Sequence, residues 1–463
     1  MRLHQKIKKA FTLLRAVSRH GHNLISLLDS VRHARIEDAF IDDGTQKISY
    51  QVLYKQALQT AHILCHQYNI KGGQKVLLAC PNGIPFLTML FALSAMGCDI
   101  VLIGHEATET TLKARLAGQA YDAVFIAGMP GCALPVSIID PEALIGSLMA
   151  TTPLYSPSGQ TSHLTVLSSG TQGLPHPYKR TTRAWRYYRP FRDIYTQLQL
   201  QQYRSTYIAI PFSHGYGLAA VLLSVFLEKR IYCHPTYGSG HLQAASEQES
   251  IDCWIVVPSM IPALYRQREQ LLHGTQAIIT GGDLLESTWT KQILHDTEVR
   301  LYNLYGTSQT GICTIATAEM LRHNPETLGK PISGLEYTFV HCPERDGKEL
   351  WVKCTWSAGQ SGQEFIGTGD IISVDEAGYW LYKGRKDQMR VIGGLNVYPE
   401  AIAEQIRKFT SVKTANVFIQ KDAVLSSHIH ASITIHPGFD HDLFKLYLTD
   451  VLPEYRIHTH IAE

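Results

Sequence analysis

The stretch that decides the fold runs from residue 50 to residue 103. It reads YQVLYKQALQTAHILCHQY at 50–68, KVLLA at 75–79, PNGIPFLTMLFALSAM at 81–96 and DIVLI at 99–103. The first and third segments carry apolar residues at helical spacing. The second and fourth are short apolar runs of the kind that forms buried strands. Helix alternating with buried strand predicts an α/β architecture with a largely parallel sheet. Working outward, a helical stretch is expected around Thr108 to Leu116, and a first amphipathic helix covers Lys6 to Leu14. The Pro/Ser-rich TPLYSPSGQTSH at 152–163 is a connector leading into the strand LTVL at 164–167. Beyond about residue 330 the chain becomes rich in short strands, at ELWVKCTW (349–356) and at 379–383. Residues 388–463 read as a small α+β unit. It has helices near 399–408 and 440–449 and strands near 413–420 and 428–435, behind a charged, glycine-containing boundary at 384–388.

Composition narrows the function classes. The 463 residues are 45% hydrophobic and 18% charged, the profile of a globular protein of several domains or subdomains. Lys and Arg number 42 against 40 Asp and Glu, for a net charge of +2. This balance lacks the basic excess of a nucleic-acid-coating protein. Nine cysteines lie singly, which fits free thiols in a reducing, cytoplasmic setting better than a disulfide framework. No apolar run reaches the length of a membrane span, and the basic N-terminus lacks the pattern of a secretory signal. That first helix is read as solvated rather than membrane-bound.

Directly after LTVL comes SSGTQGLPH at 168–176. Hydroxyl side chains and glycines in this density suit a phosphate, because glycine lets backbone N–H groups turn toward an anion. Taken alone the segment also reads as an ordinary turn. It is not a GxxxxGK[ST] loop. Further along lie PFSHGYG (211–217), ITGGD (279–283), NLYGTSQT (303–310), TGD (368–370) and GRKDQMRVIGGLNVYP (384–399).

In this order and spacing, these segments resemble the motifs of the adenylate-forming superfamily, which includes acyl- and aryl-CoA synthetases. The resemblance implies a large N-terminal domain, residues 1–386, with parallel sheets and a small β-rich piece. It also implies a small mobile α+β domain at 387–463. The implied activity is that of an AMP-forming acid–thiol ligase. A carboxylic acid, with an aryl or medium-chain acid preferred, is activated by ATP to an acyl-adenylate. The acyl group is then transferred to CoA or to the phosphopantetheine of an acyl carrier protein.

The resemblance also assigns residues. Ser168, Ser169, Gly170, Thr171 and Gly173 would wrap the phosphates. Asn303, Tyr305, Gly306 and Thr307 would border the adenine, and Gly281 and Gly282 would allow close approach of adenine and acyl group. Ser308 would sit near the α-phosphate. Asp370 would accept the ribose hydroxyls, and Arg385 would reach the same sugar. His214 would lie between acyl pocket and thiol entry. Asp387 falls at the hinge, and Gly393 and Gly394 on the path of the pantetheine arm.

Three departures from the pattern stand out. His176 replaces the lysine that ends the phosphate loop, with Lys179 or Arg180 nearby to supply the charge. Gln309 replaces the glutamate that helps hold Mg²⁺, so metal binding is expected to be weakened. The chain reaches LPEYRIHTHIAE at 452–463 without the family's Gly-Lys segment. Truncation, a lysine from a partner, or loss of adenylation each account for this. The rival reading is therefore a non-catalytic member that binds a nucleotide or a carrier protein. Two other features carry little weight. His428 and His430 alternate on a strand without supporting carboxylates or cysteines, and the Arg/aromatic segment at 184–195 reads as a helix with its aromatics in the core.

Overall fold

The computed structural model describes the chain except residues 1–2, 106–111, 113–119, 129–137, 158, 168–176, 181–183, 236–250, 272, 343–346, 359–363, 387–389, 393–394, 422–426, 454 and 463. The first helix is longer than the sequence reading, at α1 (Leu3–His20), and is followed by α2 (Leu24–Val31). Helix α3 (Tyr50–His66) starts where Ser49 accepts a hydrogen bond from the Val52 amide, as an N-cap should. Helix α4 (Ile84–Met96) is apolar on every side and nearly all its residues are buried. It stops at Gly97, whose φ of +77° is the left-handed turn that ends many helices. The helix expected at 108–116 falls almost wholly outside the described residues.

The strands read between these helices pair in parallel. Strands β1 (Lys75–Ala79), β2 (Asp99–Leu102), β3 (Ala123–Ile126) and β4 (His163–Leu167) run in the order β3-β1-β2-β4. Strand β5 (Pro177–Arg180) returns antiparallel to β4. β1 and β3 are apolar and buried almost throughout, as expected of strands covered on both faces.

The larger sheet has thirteen strands among the described residues. Its centre is parallel, with β6 (Ser205–Ile208), β7 (Cys253–Val256), β8 (Ala277–Gly281) and β9 (Arg300–Thr307) side by side. Strand β10 (Gly311–Ala316) turns back on β9. The sheet then continues through antiparallel strands that include β11 (Gly347–Lys353), β12 (Ile366–Val374) and β13 (Trp380–Arg385). Two helices flank its parallel centre, α5 (Tyr188–Gln197) and α6 (Gly215–Phe226).

The aromatics of the 184–195 segment do not all enter the core as expected. Tyr188 is 63% exposed, and Phe191 is half-buried, stacked on Tyr195 and edge-on to Phe226. They border a cavity instead.

The C-terminal residues form α7 (Pro399–Arg407), β14 (Val412–Lys421), β15 (Ser427–Ile435), α8 (His441–Val451) and β16 (Ile457–Ala462). This unit encloses a core of its own around Ile402, Ile406, Ile433 and Phe444. No helix among the described residues is long and apolar enough to cross a membrane. Every described cysteine carries a free thiol.

One glycine fixes how α6 meets the sheet. A Cβ on Gly217 would lie 2.0 Å from the carbonyl oxygen of Pro211, so the helix seats directly on the chain leaving β6. Gly217→Ala must push α6 outward, and overpacking of this kind costs about 1–3 kcal/mol. Denaturant unfolding should show that loss. An unchanged midpoint would mean the contact is not tight.

Candidate functional site

Strands β6 to β9 are parallel, so their C-terminal ends share one edge of the sheet. In open α/β sheets that edge is where ligands bind. The sequence motifs fall there. PFSHGYG follows β6, ITGGD closes β8, and NLYGTSQT spans the end of β9 and the turn to β10. A cavity of about 2180 Å³ opens at this edge. Its lining includes His214, Gly281, Gly282, Asn303, Tyr305, Gly306, Thr307, Ser308, Gln309, Asp370 and Arg385.

Asp370 is the hub. It is 5% exposed on β12, directly opposite Arg385 of β13 in the antiparallel register. Arg385 Nη1 donates to Asp370 Oδ1 at 3.0 Å and to the Thr368 carbonyl at 3.1 Å. Tyr305, reaching across from β9, donates its hydroxyl to Asp370 Oδ2 at 2.6 Å. Burial, and then the Asp370 charge, push the Tyr305 phenol well above the ordinary tyrosine range, so it stays a neutral donor. An ionised carboxylate offers about four acceptor sites, and Asp370 borders the cavity from which ligand hydroxyls would approach it. Within β12, Gly369 takes a φ of +74°. A Cβ there would stand 2.6 Å from Arg385 Nη2, so the guanidinium lies against bare backbone.

Asn303 lies on β9, 4% exposed, and its Oδ1 has no hydrogen-bond partner among the described residues. A buried unpaired acceptor is costly, and here it borders the cavity, where a ligand amino group would satisfy it. His214 precedes α6 at its N-cap position. Ser308 and Gln309 occupy the β9–β10 turn, where the Gln309 carbonyl accepts from the Ala358 amide at 2.8 Å. Gln309 contributes only a neutral amide to that turn. Gly281 is buried at the end of β8, and Gly282 follows it.

The structure places Lys179 elsewhere. Strand alternation on β5 turns Tyr178 toward the cavity and Lys179 to the opposite face, with Nζ 3.9 Å from Asp99 Oδ2. The reading of Lys179 as a stand-in for the loop lysine does not fit this position. Ser168, Ser169, Gly170, Thr171, Gly173, Asp387, Gly393 and Gly394 lie outside the described residues.

Three residues were not singled out from the sequence. Glu349 on β11, read only as part of a strand, is 8% exposed. Its Oε1 accepts from the Gly369 amide at 3.2 Å, and its Oε2 lies 3.6 Å from Lys386 Nζ. Arg390 and Arg456 of the C-terminal unit line the same cavity. The signal for the arginines lies in which surface meets the cavity, not in spacing.

The histidine pair gains neighbours. Parallel pairing sets His458 beside His430, and His430 Nδ1 lies 2.9 Å from His460 Nε2. Among the described residues, no group of three or more such side chains could hold a metal ion.

Comparison with known proteins identifies the family. The family model described as AMP-binding enzyme matches residues 29–353. An uncharacterized acyl-CoA ligase of Bacillus subtilis is 24% identical over 392 residues, 81% of each chain. A 2-succinylbenzoate–CoA ligase of Staphylococcus aureus is 23% identical over 421 residues, covering 81% of this chain and 83% of its own. Among solved structures, the o-succinylbenzoate CoA synthetase of Bacillus subtilis superposes with a TM-score of 0.78 at 15% identity, covering 95% of this chain and 94% of that one. A malonyl-CoA ligase superposes with a TM-score of 0.75 at 18% identity, covering 94% and 98%. These superpositions speak to the fold. With the family model matching most of its length, the chain belongs to the AMP-binding enzyme family, the adenylate-forming superfamily of AMP-forming acid–thiol ligases.

Proposed function

We propose that the chain activates a carboxylic acid with ATP and passes the acyl group to a thiol. The observation that carries this is the Tyr305–Asp370–Arg385 constellation, set beside the unpaired Asn303 carbonyl at one cavity edge. Asp370 accepts the ribose hydroxyls. Asn303 accepts from the adenine amino group, and Tyr305 lies against the base. In the first step a carboxylate oxygen attacks the α-phosphorus, and the bond to pyrophosphate breaks. In the second, the thiol sulfur attacks the acyl carbon. AMP leaves with the former carboxylate oxygen, and the thiol proton is released. Both steps rely on positioning and charge stabilisation. Ser308 stands at the α-phosphate and His214 between the acyl pocket and the thiol.

Mg²⁺ would be held mainly by the nucleotide phosphates, since Gln309 offers one neutral amide oxygen. CoA or a carrier-protein pantetheine is the acceptor, and an aryl or medium-chain acid the substrate. Residues 1–386 and 387–463 act as two domains about Asp387, a division supported by the separate C-terminal core. The free thiols fit a cytoplasmic setting. Gln309, and Lys179 turned toward Asp99, favour a second reading as a nucleotide binder without turnover. Sustained AMP production would exclude it.

Three variants test the assignment through Mg²⁺-dependent ATP–pyrophosphate exchange. Hydrogen bonds to a charged group are worth about 1.5–3 kcal/mol each, so Asp370→Ala should lower exchange about 10²-fold or more. Unchanged exchange would sink the nucleotide assignment. Asn303→Ala should raise the KM for ATP roughly five- to tenfold and narrow the preference for ATP over inosine triphosphate. An unaltered preference would remove Asn303 from the base contact. Lys179→Ala should leave exchange within about twofold, as befits an exposed surface pair. A large loss would return Lys179 to the site.

A further inference from the structure

Helix α6 is apolar on two faces. One face packs on the sheet through Leu218, Val221 and Val225, which are 5%, 0% and 0% exposed. The other carries Ala219, which is exposed, and Leu222, Leu223 and Phe226, which are only partly buried. A helix that borders water carries polar residues on its outer face. This one does not, and all four of those residues line the large cavity. Phe191 and Ile194 of α5 and Leu24 and Leu27 of α2 line it as well. Phe191 meets Phe226 edge-on, with ring centroids 5.4 Å apart. The apolar part of the cavity is therefore continuous with the edge where His214, Gly281 and Asp370 stand.

We infer that this apolar arm holds an extended straight acyl chain. The inference rests on the acid-activating reading above and narrows its substrate class. The carboxylate lies near His214 and Ser308, and the chain runs along α6 toward Phe226. Tyr216 to Phe226 spans ten helical steps, about 15 Å. A zigzag carbon chain of that length has roughly ten to twelve atoms. A compact aryl acid would fill only the end nearest the nucleotide. Ala219 matters because of its size: it stands three helical steps, about 4.5 Å, along from Tyr216, where a larger side chain would cross the arm.

The test is exchange across straight-chain acids from butanoate to hexadecanoate, with benzoate for comparison. The wild-type protein should gain roughly three- to fourfold in kcat/KM per added methylene up to about dodecanoate, as each methylene leaves water. Ala219→Trp should abolish the gain beyond about hexanoate while leaving butanoate within about threefold. Phe226→Ala should move the optimum toward longer acids. Misfolding cannot produce both opposite shifts. A preference for benzoate over every straight-chain acid, or a length profile indifferent to Ala219→Trp, would overturn the assignment and leave acid activation standing. If no acid supports exchange, the activation reading fails, and titration calorimetry with dodecanoate decides the arm. Binding that Ala219→Trp abolishes upholds it, and no binding refutes it.

Discussion

The carboxylate of Asp370 is the contact on which the site depends. It receives a guanidinium from the neighbouring strand and a phenol from β9, three intervening strands away in the sheet order. Removing one partner of a buried, hydrogen-bonded charge pair typically costs about 3–5 kcal/mol. The same contact therefore ties the antiparallel extension of the sheet to its parallel centre and shapes the cavity edge. Gly369 has no side chain because Arg385 occupies that space. Glu349 holds the Gly369 amide and reaches Lys386, next to the residues that lead into the C-terminal unit. Local chain geometry, charge pairing and the route between the two units thus converge on this stretch of β12.

The parallel centre explains why motifs so far apart in sequence meet in space. Four neighbouring strands end at one edge, and each following turn adds its residues to the same cavity. Within that edge, polar and apolar tasks separate. Asn303, Tyr305 and Asp370 present hydrogen-bonding groups. Helix α6 carries an unbroken apolar face away from them. A ligand with a polar head and an apolar tail matches that division of chemistry.

Much of this was legible in the sequence. The runs at 75–79 and 99–103 announced buried parallel strands, and both formed with boundaries within a residue. The ordered segments from about 168 to 400 pointed to one site, and residues of those that the structure describes line one cavity. Other features depend on tertiary register. Nothing in HPYKR marked a strand, so its alternation, which sends Lys179 away from Tyr178, could not be read. The pairing of Asp370 with Arg385 follows from how β12 turns into β13, with a register shift between Ile371 and Ile372. Glu349 looked like any strand residue until burial gave it a role. Helical spacing at 184–195 does not distinguish aromatics of a packed core from aromatics that line a cavity. GYGLAAVLLSVF carried a usable signal, a helix with no polar face, and its meaning emerged only beside the cavity.

The most direct measurement of the central claim follows an oxygen atom. The protein is incubated with Mg²⁺, ATP, a thiol acceptor and a straight-chain acid labelled with oxygen-18 in its carboxylate, and the nucleotide products are weighed by mass spectrometry. Attack of the carboxylate on the α-phosphorus leaves one labelled oxygen on AMP after the acyl group departs. The account predicts singly labelled AMP, formed in step with the thioester. Unlabelled AMP, or ADP as the product, would contradict it.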